Sequence, residues 1–175
     1  MFFFGKKNQK TFGTLGHGDL ANEFRLIAVG KQKAGPEAML FERYNERLRP
    51  RLQITEIADG RGDPGEIKRR EAAQLLAALP ARAQLVALDL DGPSETSEAL
   101  AARFDTWRTD PRPLCFMIGG AEGLNRSVIS RADHLMSLGK LTWPHMLVRV
   151  MLVEQLFRAQ SILENHPYHR VGRPD

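Results

Sequence analysis

Four short apolar runs, Phe24–Val29, 53–57, 84–90 and Leu114–Ile118, are separated by stretches long enough for a helix, and this alternation restricts the fold more than any other feature of the chain. Strands joined through helices pair in parallel, and a parallel sheet is buried on both faces. The expected class is therefore α/β, a mostly parallel sheet with helices covering both sides. In such sheets ligands collect beyond the carboxyl ends of the strands.

The intervening segments have helical spacing. The first, 36–48, opens on Pro36 and places Met39, Leu40, Tyr44 and Leu48 on its apolar stripe. The second runs over 64–79 and stops before Pro80. The third takes Ser94 as its N-cap and buries Leu100, Phe104 and Trp107, with Pro111 and Pro113 ending it. After the fourth strand come a short helix over 123–132, a brief strand over 134–138 and a long helix over 144–163. The apolar residues of that last helix cover more than one stripe, which suggests a second buried face and a dimer contact.

The chain's 175 residues, 42% of them hydrophobic, suit one domain with a real core. Residues 1–23 show no sustained period and read as a flexible N-terminal extension ahead of a domain over 24–175. The net charge of +4, with short basic groups such as Lys68, Arg69 and Arg70, leans mildly towards a polyanionic partner. Cys115 is the single cysteine, so no intrachain disulfide forms and a reducing cytoplasm is expected. No run approaches the roughly 18 apolar residues of a membrane span, and Phe2 to Phe4 is too short for a signal-peptide core.

Three stretches could carry chemistry. Phe116 to Leu124, FMIGGAEGL, runs a strand into Gly119 and Gly120 at a helix start, where backbone can approach a ligand or simply turn tightly. Its spacing fails the dinucleotide pattern G-x-G-x-x-G, which argues against a nucleotide-dependent oxidoreductase. Ser137 to Arg149, SLGKLTWPHMLVR, sets a polar loop before a helix that carries His145 and Arg149. The tail ENHPYHRVGRP interleaves His166, Tyr168 and His169 with Arg170 and Arg173, a mixture able to stack on bases and meet phosphate. Asp89 and Asp91 in LDLDG read as a strand-ending turn, and no ligand set for a metal stands at convincing spacing.

Taken in order, AVGK at Ala28 to Lys31, LDLDG, IGGAEGL, SLGKLTWPHMLVRV, LVEQLFRAQSI and NHPYHR closely resemble the RlmH family over about Phe24 to Arg170. The resemblance implies a homodimeric enzyme of the SPOUT superfamily with a C-terminal trefoil knot. It implies methylation of N3 of a pseudouridine in large-subunit ribosomal RNA, free or in the assembled ribosome, with S-adenosyl-L-methionine (SAM) as cofactor and no metal. The family's cofactor pocket carries over onto Leu88, onto Gly119 and Gly120, and onto Leu138, Gly139, Lys140, Leu141, Thr142 and Trp143. Catalysis is expected of His169 or His145 as proton acceptor, with Arg149 and Arg170 stabilising the base anion or phosphate and Tyr168 orienting the base. The competing reading is a non-catalytic RNA-binding module of the same fold. The VGRPD ending and the N-terminal extension depart from the family's pattern.

Overall fold

The computed structural model describes residues 23–170, so the expected extension, Glu23 apart, lies outside the described residues, as do 171–175. In chain order the elements are β1 Phe24–Val29, α1 Pro36–Asn45, β2 Leu52–Ile57, α2 Pro64–Ala78, β3 Gln84–Leu88, α3 Ser97–Thr109, β4 Leu114–Ile118, α4 Arg126–Arg131, β5 His134–Met136 and α5 His145–Leu163. The strands form one five-stranded sheet in the order β2-β1-β4-β3-β5, every pair parallel, as the alternation requires.

Successive side chains of the central strands enter opposite layers, which is why their sequences are apolar without a break. Phe24, Leu26 and Ala28 of β1 and Leu114, Phe116 and Ile118 of β4 join Leu100, Phe104 and Trp107 of α3 and Leu152, Val153 and Leu156 of α5 in one layer. Ile27, Val29, Cys115 and Met117 point the other way, onto Ala72 and Leu75 of α2 and Val128 of α4. The Cys115 thiol, fully buried there, has its pKa pushed up to about 11 by burial.

Several expected boundaries move for identifiable reasons. α3 is capped by Thr96, whose hydroxyl accepts from the Ala99 N–H at 3.2 Å, while Ser94 forms a parallel bridge with Ser137. α4 begins at Arg126 under an Asn125 cap, because Gly123 sits at φ +74 in the preceding turn. β3 ends at Leu88, and Leu90 is 53% exposed. Of the expected apolar stripe on the first helical segment, Tyr44 and Leu48 pack into the core as expected, but Met39 and Leu40 are exposed and Phe41 is buried in their place. The helix stops at Asn45, whose side chain accepts from the Leu52 N–H at 2.8 Å and donates to the Leu52 carbonyl at 3.1 Å.

The breadth of the apolar surface on α5, which suggested a dimer contact, is accounted for inside the chain. Val150, Leu152, Val153, Leu156 and Ala159 are buried in the core layer they share with α1 and α3.

Replacing Asn45 with Ala leaves both backbone groups of Leu52 without a partner in a buried setting, so a loss of about 1–3 kcal/mol is expected. Urea unfolding measures it, and an unchanged midpoint would show that the edge of β2 does not depend on this side chain.

Candidate active site

The loops after β3, β4 and β5 close around a cavity of about 370 Å³ at the carboxyl edge of the sheet. Leu88, Gly119, Gly120, Leu138, Gly139, Thr142 and Trp143 all line it. Lys140 and Leu141, expected with them, are not in its wall, and Leu141 is 68% exposed. Asp89, Asp91, Glu122 and Lys68 complete the wall, and sequence reasoning gave none of them that role. For the two aspartates the usable signal was position, since they follow directly on a parallel strand.

The loops after β3 and β5 are tied to each other through backbone. The Asp89 N–H donates to the Met136 carbonyl and the Ser137 N–H to the Pro93 carbonyl, both at 3.0 Å. The Ser137 hydroxyl donates to the Gly139 carbonyl at 2.9 Å, which shapes the start of the third loop. A Cβ on Gly119 would stand 2.8 Å from the Gly123 carbonyl carbon and 3.0 Å from the Leu124 nitrogen. Glycine at 119 is therefore demanded by the closure of the turn itself, as the tight-turn reading held.

His145, the first residue of α5, is half-buried and lines the cavity. A Cβ placed on Gly30 would lie 3.0 Å from its Nε2 and 3.2 Å from Asp59 Oδ1, so imidazole and carboxyl group both lie against Gly30 at the end of β1. Arg149 stands one helical turn further on and is fully buried. Its Nη1 donates to Glu56 Oε1 at 2.8 Å, and its Nη2 donates to the carbonyls of Val29 and Gly30 at 2.8 and 2.6 Å. That guanidinium has no surface to offer a phosphate or a base. Its place is a strut between α5 and the ends of β1 and β2.

The tail residues are not at this cavity. The Tyr168 hydroxyl donates to Glu154 Oε1 at 2.8 Å, and its ring packs 4.7 Å, centre to centre, from Phe157. Burial, followed by the contacts with Tyr44 and Glu154, pushes the phenol pKa well above its ordinary value, so Tyr168 remains a proton donor at physiological pH. His169 Nε2 meets Glu98 Oε1 at 3.0 Å, at the start of α3. The structure thus brings the expected cofactor residues other than Lys140 and Leu141 together with His145, and holds Tyr168 and His169 elsewhere on the same chain.

The family described as predicted SPOUT methyltransferase matches residues 23–169. The chain belongs to that family. This methyltransferase is 57% identical over 150 residues to a ribosomal RNA large subunit methyltransferase H of Gluconacetobacter diazotrophicus, covering 86% of this chain and 99% of the relative. It is 55% identical to the protein of that name in Acidiphilium cryptum, covering 86% of this chain and 95% of the other. Among solved structures, a probable methylase family protein of Haemophilus influenzae shares the fold, with a TM-score of 0.53 at 10% identity over 89% of this chain and 73% of its own.

The role of Arg149 as a strut is tested by replacing it with Met. Glu56 and two carbonyls then lose a charged donor, and stability should fall by about 2–3 kcal/mol in urea unfolding. Lys restores only part of this, because one ammonium cannot reproduce the forked contact. A normal unfolding midpoint combined with lost activity would instead make Arg149 a substrate-binding group.

Proposed function

We propose that this chain methylates N3 of a pseudouridine in large-subunit ribosomal RNA, with SAM as methyl donor. The observation that carries the reading is the meeting of the loops after β3, β4 and β5 around a single cavity with His145 in its wall. The relatives named as large-subunit methyltransferases supply the substrate class. The lining fits the cofactor in kind. Leu88, Ile118, Leu138 and Trp143 give apolar walls for a flat ring, and Asp89, Asp91 and Glu122 bring negative charge to a ligand with a cationic sulfonium and ammonium. When bound, the cofactor supplies an electrophilic methyl group on a positively charged sulfur.

The chain's own residues then do three things. The loop walls orient the donor and exclude water from it. His145 Nε2 takes the N3 proton, since an imide nitrogen holds its proton at neutral pH and is a poor nucleophile until it is removed. Lys68 at the cavity and the exposed Lys31 and Arg61 on neighbouring loops offer positive charge to the RNA backbone.

The proposal extends to a cytoplasmic homodimer in which the tail of one chain, His169 and Arg170, completes the site of the other. It is supported by the absence of these residues from their own cavity wall. The trefoil knot belongs here too. It is supported by the bridge from Ser94 to Ser137, which lays the loop after β5 alongside the loop after β3. No helix of the described residues is long and apolar enough to cross a membrane.

Isothermal titration of the protein with SAM, and separately with NADH, comes first. Saturable binding of SAM alone is expected, followed by methyl transfer to large ribosomal subunits that nucleoside mass spectrometry locates on a pseudouridine. A folded protein that binds no SAM would be left with RNA binding only. His145→Ala should lower kcat by about 10²- to 10⁴-fold, the usual range for a lost acid or base. Mixing His145→Ala with a chain cut after Tyr168 should restore part of the activity if the tail acts across a dimer, and restored activity in neither mixture nor refolded mixture would confine each tail to its own chain.

A further inference from the structure

Among the described residues, Glu71 of α2 is the only acidic side chain in the buried set, 5% exposed. Its Oε1 accepts from the Gly60 N–H at 3.0 Å, whereas Oε2 is buried without a partner. On one side lies the loop between β2 and α2, residues 58–63. On the other lies the glycine turn after β4, where a Cβ on Gly120 would stand 2.9 Å from Oε2 and 3.2 Å from Oε1. The carboxyl group therefore fills the gap between the two loops and leaves Gly120 no room for a side chain.

An unpaired buried acceptor costs on the order of 1–3 kcal/mol, and native structures rarely keep one without use. An apolar residue would serve the packing of α2 without that cost. Position gives the acid its purpose. Gly120 lines the cavity, as does Lys68, nearly one helical turn before Glu71. The loop that Oε1 holds carries Asp59, which like His145 lies against Gly30, and the exposed Arg61. Glu71 thus stands between the cofactor turn and the acceptor side of the site.

We infer that Glu71 is a positioning residue for methyl transfer: Oε1 fixes the β2–α2 loop, and Oε2 takes a backbone N–H of the glycine turn when that turn closes on the cofactor. Cofactor binding and the order of the acceptor-side loop are then one event. By reciprocity, large ribosomal subunits tighten SAM binding by the factor with which SAM tightens theirs. The inference rests on the proposed function.

Glu71→Gln separates the two oxygens, because its amide oxygen still serves the Gly60 N–H while its NH₂ group cannot accept from the turn. SAM is titrated by calorimetry with and without saturating large subunits, alongside the unfolding midpoint. In the wild type, subunits should lower the Kd for SAM. In Glu71→Gln the midpoint should stay close to wild type, the Kd should rise roughly tenfold, as for one lost hydrogen bond to a charged group, and subunits should no longer lower it. Glu71→Ala should lose stability as well, and Gly120→Ala, pressing on the same contact from the other side, should repeat the weakened and uncoupled binding. Wild-type affinity and wild-type tightening in Glu71→Gln would overturn the inference and leave Glu71 a packing residue. A wild type that binds SAM indifferently to subunits overturns the coupling, and one that binds no SAM overturns the methyltransferase reading along with it.

Discussion

One guanidinium fixes the geometry of the site. Arg149 is fully buried, and its Nη atoms reach Glu56 of β2 and the carbonyls of Val29 and Gly30 at the end of β1. A buried cation without such partners costs several kcal/mol, so α5 can dock only where all of them are in reach. Glu56 Oε1 also accepts from the Gln32 N–H at 2.7 Å, and the Gly30 N–H donates to the Ile57 carbonyl at 2.7 Å. The ends of two strands, the loop after β1 and the first turn of α5 are thereby one unit. His145, one turn before Arg149, owes its place at the cavity to that docking.

The strand order divides the carboxyl edge in two. β4, β3 and β5 are neighbours, and their loops enclose the cavity; β1 and β2 are neighbours on the other side, and their loops carry Lys31, Asp59 and Arg61. The seam between the halves is the β1–β4 pair. Gly30 and Gly120 sit on the two sides of that seam, with His145 over the first and Glu71 behind the second. A donor held on one half and an acceptor approaching from the other would meet along this line, which is where His145 stands.

Much of this was legible in the sequence because it follows from periodicity. Continuous apolar runs at β1 and β4 can only be strands buried on both faces, and once they are parallel the site must lie at their carboxyl ends. The cofactor residues on the glycine turn and at Leu138 to Trp143 follow from the resemblance to the RlmH family, and most of them share one cavity. What was not legible depends on tertiary partners. Nothing local to Arg149 says that a cation in an apolar helix will find Glu56, so it read as a free phosphate ligand. Met39 and Leu40 fit a helical stripe as well as Phe41 does, and only the direction in which α1 meets α5 decides between them. Glu71 carries no local mark of its burial, because the loops that cover it follow β2 and β4.

The tail is held unevenly, and this constrains what it can do. Tyr168 is anchored by its ring against Phe157 and Tyr44, by the guanidinium of Arg158 at 4.9 Å and by its hydrogen bond to Glu154. Aromatic contacts of this kind each add about 0.5–1.5 kcal/mol beyond the area they bury. His169 pairs with Glu98, whose side chain is 53% exposed, but its own side chain is only 13% exposed. Arg170 is exposed. Arg170 can therefore move at small cost, whereas moving His169 exposes a largely buried ring and moving Tyr168 breaks a packed cluster. Tyr168 is thus the anchor of the described tail, held by its aromatic neighbours and by its hydrogen bond to Glu154.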